Sequence, residues 1–314
     1  MKQDTALTRG AGFKGFTYPK RHVRIEQMSQ LIARPMTNIR VATPILKWAG
    51  GKAGLISQFE PHFPRQKEYK RYFEPFLGGA AVFFYLQPEE SFLFDLNAEL
   101  IEVYTVLRDD VEELISSLEP HYNDRDYFYR IRAQDPSQLT PVERASRFIF
   151  LNKTCYNGLY RVNRSGQFNV PFGDYKNPTI CDVPRLRSAS IALQSAVLKV
   201  ADFESVLEYA KAHDLLYFDP PYEPLSKTSS FTAYTSGGFG SDDQQRLAQA
   251  FRTLDTRGCF LMLSNSNTPL IRELYQGFHI YEINARRAIN SKGNGRGLIK
   301  ELLITNFLPS KNEV

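Results

Sequence analysis

Short apolar runs separated by polar stretches of helical period set the pattern of this chain. Tyr72-Phe73-Glu74-Pro75-Phe76 and Phe92-Leu93-Phe94 read as strands, each followed by a helix, the first from near Ala80 and the second from about Ala98. The alternation resumes near residue 194 and predicts strands at 196–200, 215–218, 259–264, 279–283 and 299–305. Strands alternating with helices build a doubly wound sheet, so the predicted class is α/β. Gly78-Gly79 make a tight turn from the first strand into its helix, and Asp95 closes the second strand 17 residues after Gly78. That is close to the spacing at which an acid reaches ribose hydroxyls. Ligands of open sheets bind beyond the carboxyl ends of the strands. This reading places Asp95, Asp202, Asp219 and Ser264 there, converging on one pocket.

Between residues 104 and 193 the pattern changes to helices with polar, basic connections. Thr140-Pro141-Val142-Glu143 reads as a capping box with proline at the first helical position, and the helix it opens leads into Tyr156-Asn157-Gly158. Leu159–Asn163 and Gln167–Pro171 flank a turn at Arg164-Ser165-Gly166 and read as a hairpin. Alternation puts Leu159, Arg161 and Asn163 on one face, Tyr160 and Val162 on the other. An apolar group and a guanidinium on one exposed face suit a major groove, where arginine pairs with guanine; an ordinary surface hairpin is the plainer alternative. Residues 1–40 show no sustained period and read as an arm. The Ser, Thr and Gly-rich stretch between Tyr222 and Gly240, with Phe231 and Tyr234, is long for a plain connection and well placed to cover the pocket.

Composition narrows the class. A chain of 314 residues with 42% hydrophobic and 13% aromatic content can bury a sizeable core. It has no apolar run long enough for a membrane span and opens without a signal-peptide segment, so a soluble cytoplasmic protein is expected. Cys155, Cys181 and Cys259 are widely spaced and fit reduced thiols, and the five histidines lack metal-ligand spacing, so no metal is expected. The net charge of +5 is uneven: residues 1–40 carry +6 and the rest about −1. Basic side chains are also in excess across 121–193 and 283–300, which suggests a polyanion partner.

The most specific chemistry is Asp219-Pro220-Pro221-Tyr222, directly after the apolar run Leu215-Leu216-Tyr217-Phe218. Residues before proline are pushed toward extended backbone, leaving a stiff rim of carbonyls. The Asp219 carboxylate and Pro220 carbonyl can accept the two hydrogens of an exocyclic amine while Tyr222 offers an aromatic face to its ring. The plainer alternative is a strand ending in a proline-rich turn.

With these residues in order, the chain resembles the Dam-type, D12-class DNA N6-adenine methyltransferases from about Ile45 to Phe307. Lys47-Trp48-Ala49-Gly50-Gly51-Lys52 is similar to that family's opening cofactor motif, and Glu74-Pro75-Phe76-Leu77-Gly78-Gly79 to its glycine loop. Asp95-Leu96-Asn97 matches its ribose-binding acid, Tyr156 through Gly173 its target-recognition hairpin, and Asp219–Tyr222 its catalytic motif. Two departures stand out: Ala80 replaces the last glycine of the loop, and Cys155 stands at the start of the hairpin. The resemblance implies a Rossmann-like S-adenosylmethionine-dependent methyltransferase sheet formed by 41–103 and 194–314. An inserted, mostly helical target-recognition domain over 104–193 would bear the β-hairpin. It implies a catalytic role for Asp219, Pro220, Pro221 and Tyr222, and a cofactor site of Trp48, Lys52, Phe76, Gly78, Asp95, Asp202, Phe203 and Asp219. Lys47, Tyr156, Asn157, Leu159, Arg161, Asn163 and Pro171 would meet double-stranded DNA, with GATC as the expected site. A cognate restriction endonuclease is the further partner such an enzyme can have, and a monomer or weak dimer is expected. Cytosine-N4 or RNA adenine methylation, or silent DNA binding, are the rival activities. The first of these usually has serine in place of Asp219.

Overall fold

The computed structural model describes residues 41–224, 239–286 and 298–309. The arm at 1–40 and most of the stretch expected over the pocket, with Phe231 and Tyr234, lie outside the described residues. Among the described residues seven strands form one sheet: β1 (Tyr72–Glu74), β2 (Ser91–Asp95), β3 (Ala196–Val200), β4 (Leu215–Phe218), β5 (Phe260–Ser266), β6 (His279–Arg286) and β7 (Leu298–Thr305), in the order β3-β2-β1-β4-β5-β7-β6. Strands β1 to β5 run parallel, and β7 enters antiparallel between β5 and β6. The order reverses between β1 and β4, which makes their carboxyl ends the switch point where such sheets bind ligands.

The period-two pattern of the strands divides the core. Tyr72, Leu93, Leu215, Tyr217, Met262 and Leu303 point to one face, and Phe73, Phe94, Leu216, Phe218, Leu263 and Ile304 to the other. The first face is covered by α1 (Ala81–Leu86), α2 (Ala98–Asp109), α5 (Pro141–Thr154) and α6 (Val183–Leu193). The second is covered by α7 (Ser241–Thr256) and α8 (Pro269–Leu274), through Leu247, Phe251, Leu254 and Ile271. Each large apolar side chain so buried contributes about 1.5–3 kcal/mol of transfer free energy. A further pair, α3 (Val111–Leu118) and α4 (Arg125–Ala133), leans on α5. Helix α5 forms the expected capping box: the Glu143 amide donates to Thr140 Oγ1 at 3.3 Å and the Thr140 amide to Glu143 Oε2 at 2.8 Å.

Beside the site, the structure departs from the sequence reading at β1 and at the hairpin. Strand β1 stops at Glu74 rather than Phe76, because Pro75 has no amide for the ladder and the chain turns there toward the glycine loop. The hairpin is irregular: two isolated bridges, Val162 to Phe168 near the turn and Cys155 to Phe172 at the base, with a few amide bonds beside them, replace a continuous ladder. Asn163 explains part of this, since its side-chain oxygen takes the amides of Ser165 and Gln167 and turns the chain locally.

Candidate active site

The carboxyl ends of β1, β2 and β4 open onto one cavity of about 350 Å³. Its walls include Trp48, Lys52, Phe76, Gly78, Asp95, Asp202, Phe203 and all of Asp219 to Tyr222, so the expected cofactor and catalytic residues share one space. Ser264 stands behind that wall. It is fully buried and donates from Oγ to Asp219 Oδ1 at 2.9 Å.

Asp219 is held from two sides. The buried Lys52 ammonium lies 2.7 Å from Oδ1 and 2.8 Å from Oδ2. A carboxylate offers about four acceptor positions. Lys52 and Ser264 occupy three of them, leaving one on Oδ2 for a further N–H donor. The Lys52 ammonium also sits 4.8 Å from the Tyr222 ring centre, and the Tyr222 hydroxyl donates to Glu301 on β7 at 2.9 Å. Burial, with Asp219 and Glu301 nearby, pushes the Tyr222 phenol well above its usual range, so it remains a neutral donor.

The segment after Asp219 is pinned by buried amides. Gln244 on α7 donates to the Pro221 carbonyl at 3.0 Å and accepts from Asn265 at 3.0 Å. Asn265 accepts from the Glu223 amide, and Ser266 donates to the Glu223 carbonyl at 2.7 Å. Gln244 and Asn265 are fully buried, so each of these polar groups depends on the others.

At the β2 end of the cavity, Asp95 accepts from the Gly78 amide at 3.0 Å and the Asn97 amide at 2.9 Å, while the Tyr104 hydroxyl donates to the Gly78 carbonyl. Burial raises the Asp95 carboxyl and these amides partly offset it. Gly78 has φ +45°, and a Cβ there would fall 2.8 Å from the Trp48 ring. The glycine loop thus makes room for an indole of the protein itself. Phe76 stacks on Phe203 at 5.5 Å and Phe239 meets both, giving an apolar slot. Asp202, beside that slot, is tied to Arg246 at 3.2 Å. A slot for a flat ring, a carboxylate at the end of β2 that the loop amides hold toward the cavity, and a cavity of nucleoside size fit S-adenosylmethionine.

The residues expected against DNA lie apart from the cavity wall. Lys47, Tyr156, Asn157, Arg161, Asn163 and Pro171 are exposed. Asn157 has φ 55°. The Arg161 guanidinium lies along its own hairpin, with Nε donating to Asn169 at 2.6 Å. Leu159 departs from the shared exposed face: it is half-buried against the cluster around Phe128 and Phe150. Site residues not apparent from the sequence include Glu74, Tyr160, Phe239, Gln244, Asn265 and Glu301. Only the acid beginning the glycine loop and the acid in the last apolar run offered a signal, since a charge inside a buried strand needs a reason. Among the described residues no cluster of histidine, cysteine or acidic side chains is arranged to hold a metal.

Comparison with known proteins agrees with this geometry. The family described as D12 class N6 adenine-specific DNA methyltransferase matches residues 48–289. The Type II methyltransferase M.MjaIII of Methanocaldococcus jannaschii is 46% identical over 285 residues, covering 84% of this chain and 99% of its own. The Type II methyltransferase M1.LlaDCHI of Lactococcus lactis subsp. cremoris is 42% identical, covering 88% and 99%. A DNA adenine methylase of Haemophilus influenzae is 34% identical, covering 83% and 92%. A match of this length takes in both the glycine loop beside Asp95 and the proline rim beside Asp219. The two motifs that line the cavity therefore lie within one family match, and the chain belongs to the D12 class of N6 adenine-specific DNA methyltransferases.

Proposed function

We propose that this S-adenosylmethionine-dependent methylation of adenine N6 takes place within GATC in duplex DNA. In the proposed roles, residues 104–193 recognise the target, with Arg161 reading a guanine edge and Lys47, Tyr156, Asn157, Leu159, Asn163 and Pro171 placing the duplex. N6 is stacked inside a duplex, so the adenine must be flipped into the cavity. The free acceptor position of Asp219 and the Pro220 carbonyl take the two amine hydrogens, and this turns the nitrogen lone pair out of conjugation with the ring. Tyr222 stacks on the base, its ring set by Glu301 at the hydroxyl and Lys52 over the face. Trp48, Phe76, Phe203, Asp202 and Asp95 hold the cofactor, which when bound supplies a methyl group on a sulfonium. Catalysis is then mainly orientation.

The observation that carries this reading is the shared cavity, in which Asp219 keeps one free acceptor position while Lys52 and Ser264 fix its orientation. Two relatives carry the name Type II methyltransferase, which supports a place beside a restriction endonuclease in the cytoplasm. Monomer or weak dimer remains the proposed state. Among the described residues no helix is long and apolar enough to cross a membrane.

The test is expression in a host lacking adenine methylation, with methylated bases mapped across the genome. The expected product is N6-methyladenine at GATC, lost with Asp219→Ala while duplex affinity is largely kept. Methylation at another sequence would remove the GATC assignment, and full turnover by Asp219→Ala would remove the cradle.

A further inference from the structure

Tyr160 joins two regions that the reaction otherwise treats separately. It lies on the hairpin between Leu159 and Arg161, yet its ring lines the cofactor cavity. There it completes a triangle of near-parallel rings with Trp48, at 5.9 Å and 20°, and Phe148 of α5, at 5.2 Å and 25°, which themselves lie 6.5 Å apart. Its hydroxyl faces Glu99 and Asn97, the residues that follow Asp95 into α2. Trp48 in turn fills the space that Gly78 and Gly79 leave open. A second clip runs beside this stack. Asn152 accepts from the Lys47 amide at 2.9 Å and donates to the carbonyls of Lys47 at 2.7 Å and Gly158 at 3.1 Å. A Cβ on Gly158 would come within 2.4 Å of the Lys47 side chain, so the start of the hairpin and the segment before Trp48 are in direct contact.

We propose that Tyr160 is a positioning residue through which occupancy of the cofactor cavity sets the recognition hairpin, so that cofactor and duplex bind with positive coupling. The physical reason is continuity. A ligand that fixes Trp48 and the Asp95–Asn97 segment fixes two of the groups against which Tyr160 packs, Phe148 of α5 being the third, and Arg161 follows Tyr160 along the strand. The base of the hairpin is tied to the end of α5 through a Cys155–Phe172 bridge and the Tyr156 amide on the Pro171 carbonyl, but between Tyr160 and Asn169 the ladder is only one bridge and two flanking amide bonds. Coupling between sites is reciprocal, so the duplex should tighten cofactor binding by the same factor.

The inference rests on the DNA-facing reading of the hairpin, and the experiment separates the two. Dissociation constants of a duplex carrying one GATC are measured with and without saturating S-adenosylhomocysteine, and of S-adenosylhomocysteine with and without duplex. In the natural protein the two ratios should agree at about 5-fold or more. Tyr160→Leu should bring both ratios close to one, and Tyr160→Phe, which keeps the stack, should retain them. A purely structural role would weaken both ligands in Tyr160→Leu and leave the ratios unchanged, overturning the proposal. Trp48 is the only tryptophan of the chain, so its emission reports the stack without any substitution. It should change on adding S-adenosylhomocysteine and change again on adding duplex; emission indifferent to duplex would also overturn the proposal. If instead Arg161→Ala leaves duplex affinity intact, the DNA-facing reading itself fails.

Discussion

Ala80 and Glu74 show how single residues of the glycine loop depart from what their positions favour. Ala80 has φ 55° and ψ 33°, a left-handed backbone that costs an L-residue about 1–2 kcal/mol. Its own Cβ is buried in the core, so the departure noted in the sequence is borne as backbone strain at the start of α1. Ala80→Gly sets the relieved strain against the added freedom of the unfolded chain and the loss of a buried methyl worth about 0.8 kcal/mol, so the denaturant midpoint is expected to move by less than about 1 kcal/mol in either direction. Glu74 is buried at the end of β1, accepting from the Tyr72 hydroxyl at 2.8 Å and the Phe83 amide at 3.1 Å. Burial pushes its pKa up to about 8; the Tyr72 hydroxyl pulls it down and the Asp219 carboxylate adds to the rise. The folded protein therefore keeps this proton over a range in which the unfolded chain has lost it, and stability falls as pH rises from about 4.5 to about 8. The loss is on the order of a few kcal/mol. Glu74→Gln should flatten that fall, measured as urea midpoints at several pH values; parallel curves for the two proteins would contradict the burial argument.

At the scale of elements, the loop after β4 takes its shape from its neighbours more than from its prolines. Pro220 and Pro221 stiffen the backbone, but Gln244 of α7 and Asn265 and Ser266 of β5 decide where the rim points. Gln244→Ala would leave the Pro221 carbonyl and the Asn265 amide without partners. It should cost about 1–3 kcal/mol of stability, and turnover should fall more than cofactor affinity. Thermal melts and a kcat against Kd comparison check both parts. Strands, glycine turn and capping box were legible in the sequence because each is dictated within a few residues, by alternation, by Gly78-Gly79 or by Thr140 and Glu143. The hairpin was legible in place but not in form, since Asn163 diverts ladder amides to its own side chain and Leu159 finds a core that alternation cannot reveal. Asn265 and Ser266 extend β5 beyond its predicted end at 264, because pairing with Leu302 and Glu301 of β7 outweighs their modest strand preference.

Over the whole molecule, the candidate site was readable to the extent that its residues stand in motifs. Asp95, Asp202 and Asp219 follow from strand ends in a doubly wound sheet. Gln244 and Glu301 do not, since Glu301 reaches the cavity and Gln244 the back of its rim from elements distant in sequence, through contacts that no local pattern encodes. Charge is the other molecular property. The excess of +6 over residues 1–40 sits on a remainder near −1, so removing those residues should make the dependence of duplex affinity on salt less steep while the methylated sequence stays the same. Affinities measured across a range of sodium chloride concentrations read that slope directly; an unchanged slope would place the phosphate contacts elsewhere. Finally, β7 lies between β5 and β6 and brings Glu301 to the Tyr222 hydroxyl. Of the seven strands it is the last to be synthesised, yet it takes an interior place in the sheet. A growing polypeptide on the ribosome therefore carries an open seam beside β5 and a Tyr222 without its partner. Methylation competence should arrive late in translation, after every motif of the reaction has already emerged.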